Sequence, residues 1–188
     1  MISRLANHSL RLITVVLTVS VFVVSSARGQ GAADAARHAA EENDIRDAVI
    51  RYQMEEWARQ GDKNERDVKD KRDKAVAKQL NFRVFFVSIN GKDPSDDFLK
   101  RFASVPRTIK KRSQAKMSSP NMEWVTDKDT HQPGIIFSAG EIRWTKESEV
   151  EAEGGYHCGR LCGAGDVFTV QLQNGRWRVI QKRMKWIS

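Results

Sequence analysis

The residues best suited to chemistry lie in one glycine-rich segment, residues 154–165, which holds both cysteines of the chain. Cys158 and Cys162 are four positions apart, and His157 directly precedes the first of them. In an oxidising compartment an even pair of this kind forms a disulfide, whereas a cytosolic pair indicates metal binding or thiol chemistry. The small residues around the pair permit tight backbone curvature. The segment therefore predicts a bulged hairpin closed by a Cys158–Cys162 disulfide.

Two chemical alternatives compete with a structural disulfide in this segment. A structural zinc site needs four ligands, so His38, His131 or an acid would have to join the two cysteines and His157. Thiol–disulfide oxidoreductases favour two residues between their cysteines at a helix N-terminus, but here three residues separate them in a predicted hairpin. We therefore expect neither a metal nor a cofactor.

A second group of residues is of the types used in general acid–base catalysis or in a ligand pocket. Such pockets combine an apolar lining with one or two titratable groups. The acid–base candidates are Tyr52, Asp96, Glu141, Glu151, Glu153 and His157. The candidate ligand pocket consists of Tyr52, Tyr156, His157 and Glu153. Because the glutamates alternate along predicted strands, they fit the solvent face of a sheet equally well, and the spacing identifies no catalytic residue.

Basic residues form a third candidate site in this chain, whose net charge is +8. The candidate anion-binding surface consists of Lys110, Lys111, Arg112, Arg178 and Lys182. Tryptophans such as Trp177 and Trp186 would offer stacking faces, although tryptophans at strand spacing usually pack inside. A charge of this size does not establish nucleic-acid binding. We expect cell-envelope polymers or lipid headgroups as partners, and not nucleic acid.

The first 27 residues have the order of a secretory signal. Arg4 and Arg11 form a positive region, residues 12–24 an apolar run, and residues 25–27 a small-residue end. The run is shorter than the roughly 20 residues that span a bilayer, which favours cleavage after Ala27 over an uncleaved membrane anchor. Cleavage removes two arginines and no acid, so the net charge falls from +8 to +6. We predict a periplasmic or extracellular protein with no transmembrane segment after cleavage.

Helical patterns dominate the next part of the chain. Residues 28–40 are alanine-rich and lack large apolar side chains, which predicts a loose arm. From residue 41 apolar residues recur at helical spacing, and Gly61 is expected to end or bend this helix. Residues 62–78 mix charges of both signs, which is typical of a solvated helix or spacer.

The remaining elements must position the candidate sites. Residues 82–89 read as a strand, Asn90-Gly91 as a turn, and residues 93–96 as a helix start with a carboxylate cap. From Gly134 onward the pattern is that of strands. The four predicted strands are residues 135–144, 149–156, 166–172 and 176–186. Because Asn174-Gly175 is a strong signal for a tight hairpin turn, we expect an antiparallel meander.

Helices followed by antiparallel strands indicate a single α+β domain over residues 41–188. We expect the N-terminal helix or helices to pack on a curved, cone-like antiparallel sheet of about four to five strands. The chain has no internal repeat and no low-complexity linker that would divide it.

Several segments are similar to a group of uncharacterised exported bacterial proteins. These segments are residues 45–53, 93–102, 153–156, 159–165, 174–177 and 184–188. The layout of helices before a bent sheet also resembles the nuclear transport factor 2-like and cystatin-like folds. Those folds host isomerases, hydrolases, cyclases and plain binding modules, so the resemblance implies a fold and no single activity.

Taken together, these patterns favour an exported binding or interaction protein with an unknown ligand over an enzyme. The first alternative is a nuclear transport factor 2-like isomerase or hydrolase with a pocket carboxylate. The second is binding of an anionic cell-envelope polymer or lipid through the basic surface. A buried carboxylate near Tyr52 or His157 would favour the enzyme, whereas a shallow or tryptophan-filled interior would favour binding.

Overall fold

The computed structural model describes residues 22–67, 81–117 and 124–188 of the chain. Most of the predicted signal segment and residues 68–78 of the charged segment lie outside these ranges. The chain divides into two compact units, Met1–Glu41 and Glu42–Ser188. All strands belong to the second unit. No helix in the described ranges is long and apolar enough to cross a membrane.

The first element is one long helix, α1, at Phe22–Asp67. Its backbone includes residues 28–40, where the sequence predicts a loose arm, and alanine is the strongest helix former. The helix also continues past Gly61, where we expect an end or a bend, because one helical glycine costs only about 1 kcal/mol relative to alanine. On the predicted apolar stripe Ile45, Val49 and Met54 are buried.

The other elements follow α1 in the second unit. They are β1 (Val84–Ile89), α2 (Asp96–Lys100), β2 (Thr108–Lys111), β3 (Ala115–Lys116), β4 (Thr126–Asp127), β5 (Gly134–Lys146), β6 (Glu149–Gly159), β7 (Cys162–Gln173) and β8 (Arg176–Ile187). A 3-10 turn at Arg112–Gln114 links β2 to β3. Strands β5 to β8 pair in sequence and antiparallel, so the predicted C-terminal meander is found.

The main sheet is mixed, which corrects the prediction of an antiparallel sheet of four to five strands. It has six strands in the order β2-β1-β5-β6-β7-β8, and β3 with β4 forms a second, two-stranded sheet. Strand β1 pairs in parallel with both β2 and β5. Phe85 and Val87 of β1 face the main core, whereas Val84 and Phe86 belong to a second core. Strands that are buried on both faces are typical of parallel pairing.

The turns and the cap of α2 follow local chemistry. Asn90 and Gly91 have φ angles of 51° and 75°, as a two-residue hairpin turn requires. The helix cap is the Ser95 hydroxyl, which accepts a hydrogen bond from the Phe98 N–H at 3.2 Å. The predicted carboxylate cap is therefore wrong, and Asp93 instead accepts a hydrogen bond from the Ser113 N–H at 2.7 Å.

Helix α1 approaches the sheet closely at Gly154 of β6. A Cβ atom at this position would lie 2.7 Å from the Ser138 carbonyl oxygen and 3.1 Å from a Val49 methyl group. On either side, aromatic rings fill the space between helix and sheet. The Trp57 and Tyr156 ring centroids are 4.9 Å apart, and Tyr52 meets Phe168 edge-on. The interior is therefore filled largely by side chains.

Candidate functional site

A groove of about 510 Å³ lies between α1 and the turn that joins β7 to β8. Helix α1 contributes side chains three and four positions apart, which lie on one helix face. The lining residues are Asp44, Asp47, Ala48, Arg51, Tyr52, Glu55, Gly175, Arg176, Trp177, Arg178 and Val179. Asn174 and Gly175 have φ angles of 51° and 72°, so the strong turn signal in the sequence forms one end of the groove.

The charges along the helix side of the groove are partly neutralised. Arg51 donates a hydrogen bond from Nε to Asp47 at 3.0 Å and another from Nη2 to the Arg101 carbonyl. Asp44 accepts a hydrogen bond from Arg101 at 2.6 Å. On the strand side, Arg176 and Arg178 form no ion pair with any residue in the described ranges. The strand side of the groove is therefore lined by two arginines, Arg176 and Arg178, that have no ion pair within the described ranges.

A polar cluster lies deeper, between α1 and the sheet, and consists of Tyr52, Glu56, Tyr156, Asp166 and Lys182. Lys182 Nζ donates to Glu56 Oε2 at 2.7 Å. Asp166 is only 4 % exposed, and its Oδ1 has no hydrogen-bond partner among the described residues. A buried carboxylate oxygen without a hydrogen bond is costly, which favours the protonated form of this acid.

Sequence reasoning missed Asp166, although a signal for it exists. Asp166 shares the parity of Phe168 and Val170, which are both fully buried on β7. Alternate residues of a strand lie on the same face, so the apolar pattern already places this carboxyl on the core side. Asp166 was overlooked because the predicted strand begins at residue 166, and a polar residue at a strand end is usually exposed.

The burial of Asp166 sets the electrostatics of the cluster. Burial raises the pKa of Asp166, the Lys182 charge opposes this, and the Glu56 charge adds to it. Burial and the nearby Asp166 also raise the pKa of the Tyr156 hydroxyl. Burial disfavours the charged form of Lys182, but its hydrogen bond to Glu56 and the surrounding negative charge raise the pKa overall. The cluster thus holds a carboxyl group that binds its proton more tightly than usual.

The four predicted pocket residues lie on two different faces. Tyr52 on α1 and Tyr156 on β6 both face the helix–sheet interface, where Tyr52 also lines the groove. His157 follows Tyr156 on β6 and therefore lies on the opposite face. Burial lowers the pKa of His157. Glu153 is exposed and accepts a hydrogen bond from Lys185 at 2.6 Å, so the structure separates it from the two tyrosines.

The other acid–base candidates lie on the protein surface. Asp96 forms an ion pair with Lys111 at 2.7 Å, and Glu151 pairs with Arg143. Glu141 is exposed on β5. Exposed ion pairs contribute little to stability and do not assemble a pocket, so these carboxylates form part of the solvated faces of the sheet and of α2.

The predicted anion-binding surface is split between the two edges of the main sheet. Lys110 and Lys111 lie on edge strand β2, with Arg112 directly after it, whereas Arg178 and Lys182 lie on edge strand β8. The structure therefore separates these residues into two groups, because strand order cannot be read from position in the sequence, and anion binding by either group stays a prediction. The β2 lysines are also paired with acids, since Lys110 contacts Asp127 at 2.8 Å.

The two cysteines lie at the end of β6 and the start of β7, on either side of a tight turn. Their sulfur atoms are at disulfide distance and their Cα atoms are 5.2 Å apart. The predicted disulfide is therefore seen. Within the described parts of the chain, no group of three or more His, Cys, Asp or Glu residues is arranged to hold a metal ion.

Comparison with known proteins found no matching family model, no matching curated protein and no matching solved structure. The resemblances to exported bacterial proteins and to the nuclear transport factor 2-like and cystatin-like folds therefore stay predictions, and any function must rest on the geometry of this chain.

Proposed function

We propose that the chain is an exported binding protein whose ligand is a small anionic molecule held in the groove between α1 and the β7–β8 turn. The observation that carries this proposal is that two arginines, Arg176 and Arg178, line the groove and form no ion pair with any residue in the described ranges. Guanidinium groups bind carboxylates and phosphates with paired hydrogen bonds. The ligand therefore carries a carboxylate or a phosphate.

The opposite wall specifies the rest of the ligand. Glu55 lines the groove, and no residue of the described ranges forms an ion pair with it. A carboxylate in this position accepts hydrogen bonds from a hydroxyl or an amine. Tyr52 and Ala48 also line the groove and add apolar surface to it. The preferred ligand is thus a small anion with a hydrogen-bond donor at its other end, such as an acidic sugar or an amino acid.

The packed interior supports binding at the surface groove in preference to catalysis inside the fold. Trp57, Tyr156 and Phe168 occupy the space between α1 and the sheet. A reactive pocket needs room for a substrate beside the acid or base. The groove offers a ligand a volume of about 510 Å³ beside Tyr52.

Thermal unfolding with a panel of sugar acids, sugar phosphates and amino acids tests the proposal. A ligand that binds only the folded protein raises the melting temperature by mass action. We expect at least one anionic member to raise it and the Arg176→Ala/Arg178→Ala variant to lose that shift. The matched control is Arg183→Ala on the same strand, which lies outside the groove and should keep the shift. A shift that survives in the double variant would disprove the assignment.

The second candidate function is a nuclear transport factor 2-like isomerase or hydrolase, and one observation favours it. Asp166 is a buried carboxyl whose pKa is raised. It lies near Tyr156, and Lys182 lies near both Asp166 and Tyr52. A carboxyl that holds its proton more tightly than usual is suited to general acid catalysis. In this function a substrate would have to enter from the groove past Tyr52 to reach Asp166.

Export is part of the proposal and rests on two features. The first 27 residues have the order of a secretory signal. The sulfur atoms of Cys158 and Cys162 lie at disulfide distance, and such bonds persist mainly outside the cytosol. An exported binding protein would meet its ligand in the periplasm or outside the cell.

A further inference from the structure

Large apolar side chains are concentrated on the surface at one end of the main sheet. Leu161 is 88 % exposed, Ile187 66 %, Met184 56 % and Trp186 52 %. These are four of the seven large apolar side chains that are exposed in the described ranges. Scattered exposed apolar residues are normal, but a cluster marks an interaction site.

The fold brings these four residues to the same end of the main sheet from two separate parts of the sequence, with Trp186 and Ile187 on opposite faces of β8. Leu161 lies in the turn between β6 and β7, and the other three lie at the end of β8. Ile187 is in register with Ala164 of β7, and the Ser188 N–H donates to the Gly163 carbonyl at 2.9 Å. The end of β8 therefore lies beside the turn that carries Leu161. We call Leu161, Met184, Trp186 and Ile187 the apolar tip.

Two features of the glycine-rich segment build this tip. The Cys158–Cys162 pair closes the turn and holds Leu161 outward. The Trp186 indole lies directly over Gly165 of β7, where any side chain would collide with the ring. The cysteines and the glycine, which the groove does not use, thus support exposed apolar side chains.

The charges around the apolar tip are basic. Arg160 precedes Leu161, and Arg183 and Lys185 flank Met184. Arg160 and Arg183 form no ion pair with residues in the described parts of the chain, while Lys185 pairs with Glu153. Strand β8 contains no acidic residue. A partner that covers this tip must therefore be apolar at its centre and negatively charged at its surface.

We propose that the apolar tip docks on an anionic lipid surface. Tryptophan prefers the headgroup level of a bilayer, leucine and isoleucine enter the acyl boundary, and arginine and lysine bind the lipid phosphates. Two copies of this chain would bring the basic residues of both tips together, which opposes self-association at this surface. This proposal goes beyond ligand binding in the groove, since the two sites share no residue.

Binding of the full chain to vesicles tests the proposal, with phosphatidylcholine alone compared to phosphatidylcholine mixed with phosphatidylglycerol. We expect binding to the anionic vesicles that weakens as salt is added. Leu161→Ser/Ile187→Ser should weaken it by about tenfold or more, the equivalent of leaving a large apolar side chain out of the membrane. Because every variant keeps the same N-terminal segment, any vesicle binding by that segment is equal in all of them.

The matched control is Leu172→Ser, because Leu172 is also exposed on β7 but lies near the groove end of that strand. It should bind as the wild type does. As a local readout, acyl-brominated lipids should quench the fluorescence of the wild type more than that of Trp186→Phe. Equal vesicle binding by the double variant and the wild type would overturn the proposal. So would a concentration-dependent dimer that the double variant abolishes, because it would assign the tip to a second copy.

Discussion

Two buried carboxylates in this protein have opposite surroundings. Asp127 on β4 is fully buried and accepts hydrogen bonds from Lys110 at 2.8 Å and from the Thr130 hydroxyl at 2.6 Å. Asp166 on β7 is nearly as buried, but its Oδ1 has no partner in the described ranges. Burial alone raises the pKa of both carboxyls. At Asp127 the partners outweigh this and lower the pKa to about 2, whereas at Asp166 the pKa stays raised.

The difference separates a structural site from a candidate functional one. A carboxylate that accepts several hydrogen bonds stabilises the elements that it joins. Asp127 joins β2 to the two-stranded sheet in this way. A buried carboxyl oxygen without a partner lowers stability, and a carboxyl whose pKa is raised in such surroundings is a candidate for a functional group. A similar contrast holds between basic residues at the two edges of the main sheet. Lys110 and Lys111 on β2 are paired with acids, whereas Arg176 and Arg178 on β8 form no ion pair within the described ranges.

The largest effect is expected from Asp127→Ala. Removing this carboxylate leaves Lys110, whose side chain is only 18 % exposed, without its main partner, and breaking a buried pair costs about 3 kcal/mol. Urea unfolding at pH 7 measures the loss. Asp129→Ala removes the exposed partner of the same lysine and should cost less than about 1 kcal/mol. Similar losses in both variants would contradict the comparison.

The pH dependence sharpens this prediction. The pKa of Asp127 falls from 3.8 to about 2 on folding, so its carboxylate stabilises the fold above pH 4. That contribution is lost as the pH falls through about 2. Wild-type stability should therefore decline between pH 4 and pH 2, and Asp127→Ala should lack this part of the decline. A parallel decline in both proteins would place the responsible carboxyl elsewhere.

A smaller effect of the opposite sign is expected from Asp166→Asn. Because the folded state raises the pKa of Asp166, its charge destabilises the fold at neutral pH. The neutral amide should increase the free energy of unfolding by about 1 kcal/mol at pH 7. The gain should vanish below pH 4, where the aspartic acid is protonated in both states.

The measurement for Asp166→Asn is urea unfolding at pH 7 and pH 3. A loss of stability at pH 7 would show that the carboxylate has a partner and that the contrast with Asp127 is wrong. If the enzyme alternative is right, the same variant should be more stable and yet lose turnover. That combination separates a functional carboxyl from a purely structural one.

The smallest effect on stability is expected from Lys182→Met. The Lys182–Glu56 pair is partly exposed, so its loss should change the free energy of unfolding by less than about 1 kcal/mol. Because the Lys182 charge lowers the pKa of Asp166, the variant should raise that pKa further. Carboxyl chemical shifts followed by NMR titration measure it. Lys185→Met, whose partner is the exposed Glu153, should leave the titration of Asp166 unchanged, and equal shifts in both variants would contradict the assigned contact.

Much of the local structure was predictable from the sequence. The four strands of the meander, the Asn174-Gly175 turn and the Cys158–Cys162 pair are all found. Each of these features depends on residues that are close in the chain. The strands follow from alternating apolar residues, the turn from residues that adopt positive φ angles, and the cysteine pair from the short loop between the two cysteines. The parallel pairing of β1 was missed, although its unbroken apolar run is typical of a strand covered on both faces.

The candidate site depended on contacts between distant parts of the chain. Tyr52 was identified from its type and spacing, but its position beside Arg176 and Arg178 required α1 to pack against the β7–β8 turn. The apolar tip likewise joins Leu161 to the end of β8 only through strand register.

By itself, the amino-acid sequence determined the α+β class, the C-terminal meander and the closure of the glycine-rich turn. Only the tertiary structure decided which charges are paired, since it placed β2 and β8 at opposite edges of one sheet. It also decided that Lys110 reaches Asp127 while Asp166 Oδ1 has no partner among the described residues. The physical reason is that turns and strands follow from neighbours in the chain, whereas the energy of a buried charge depends on whatever the whole fold brings next to it.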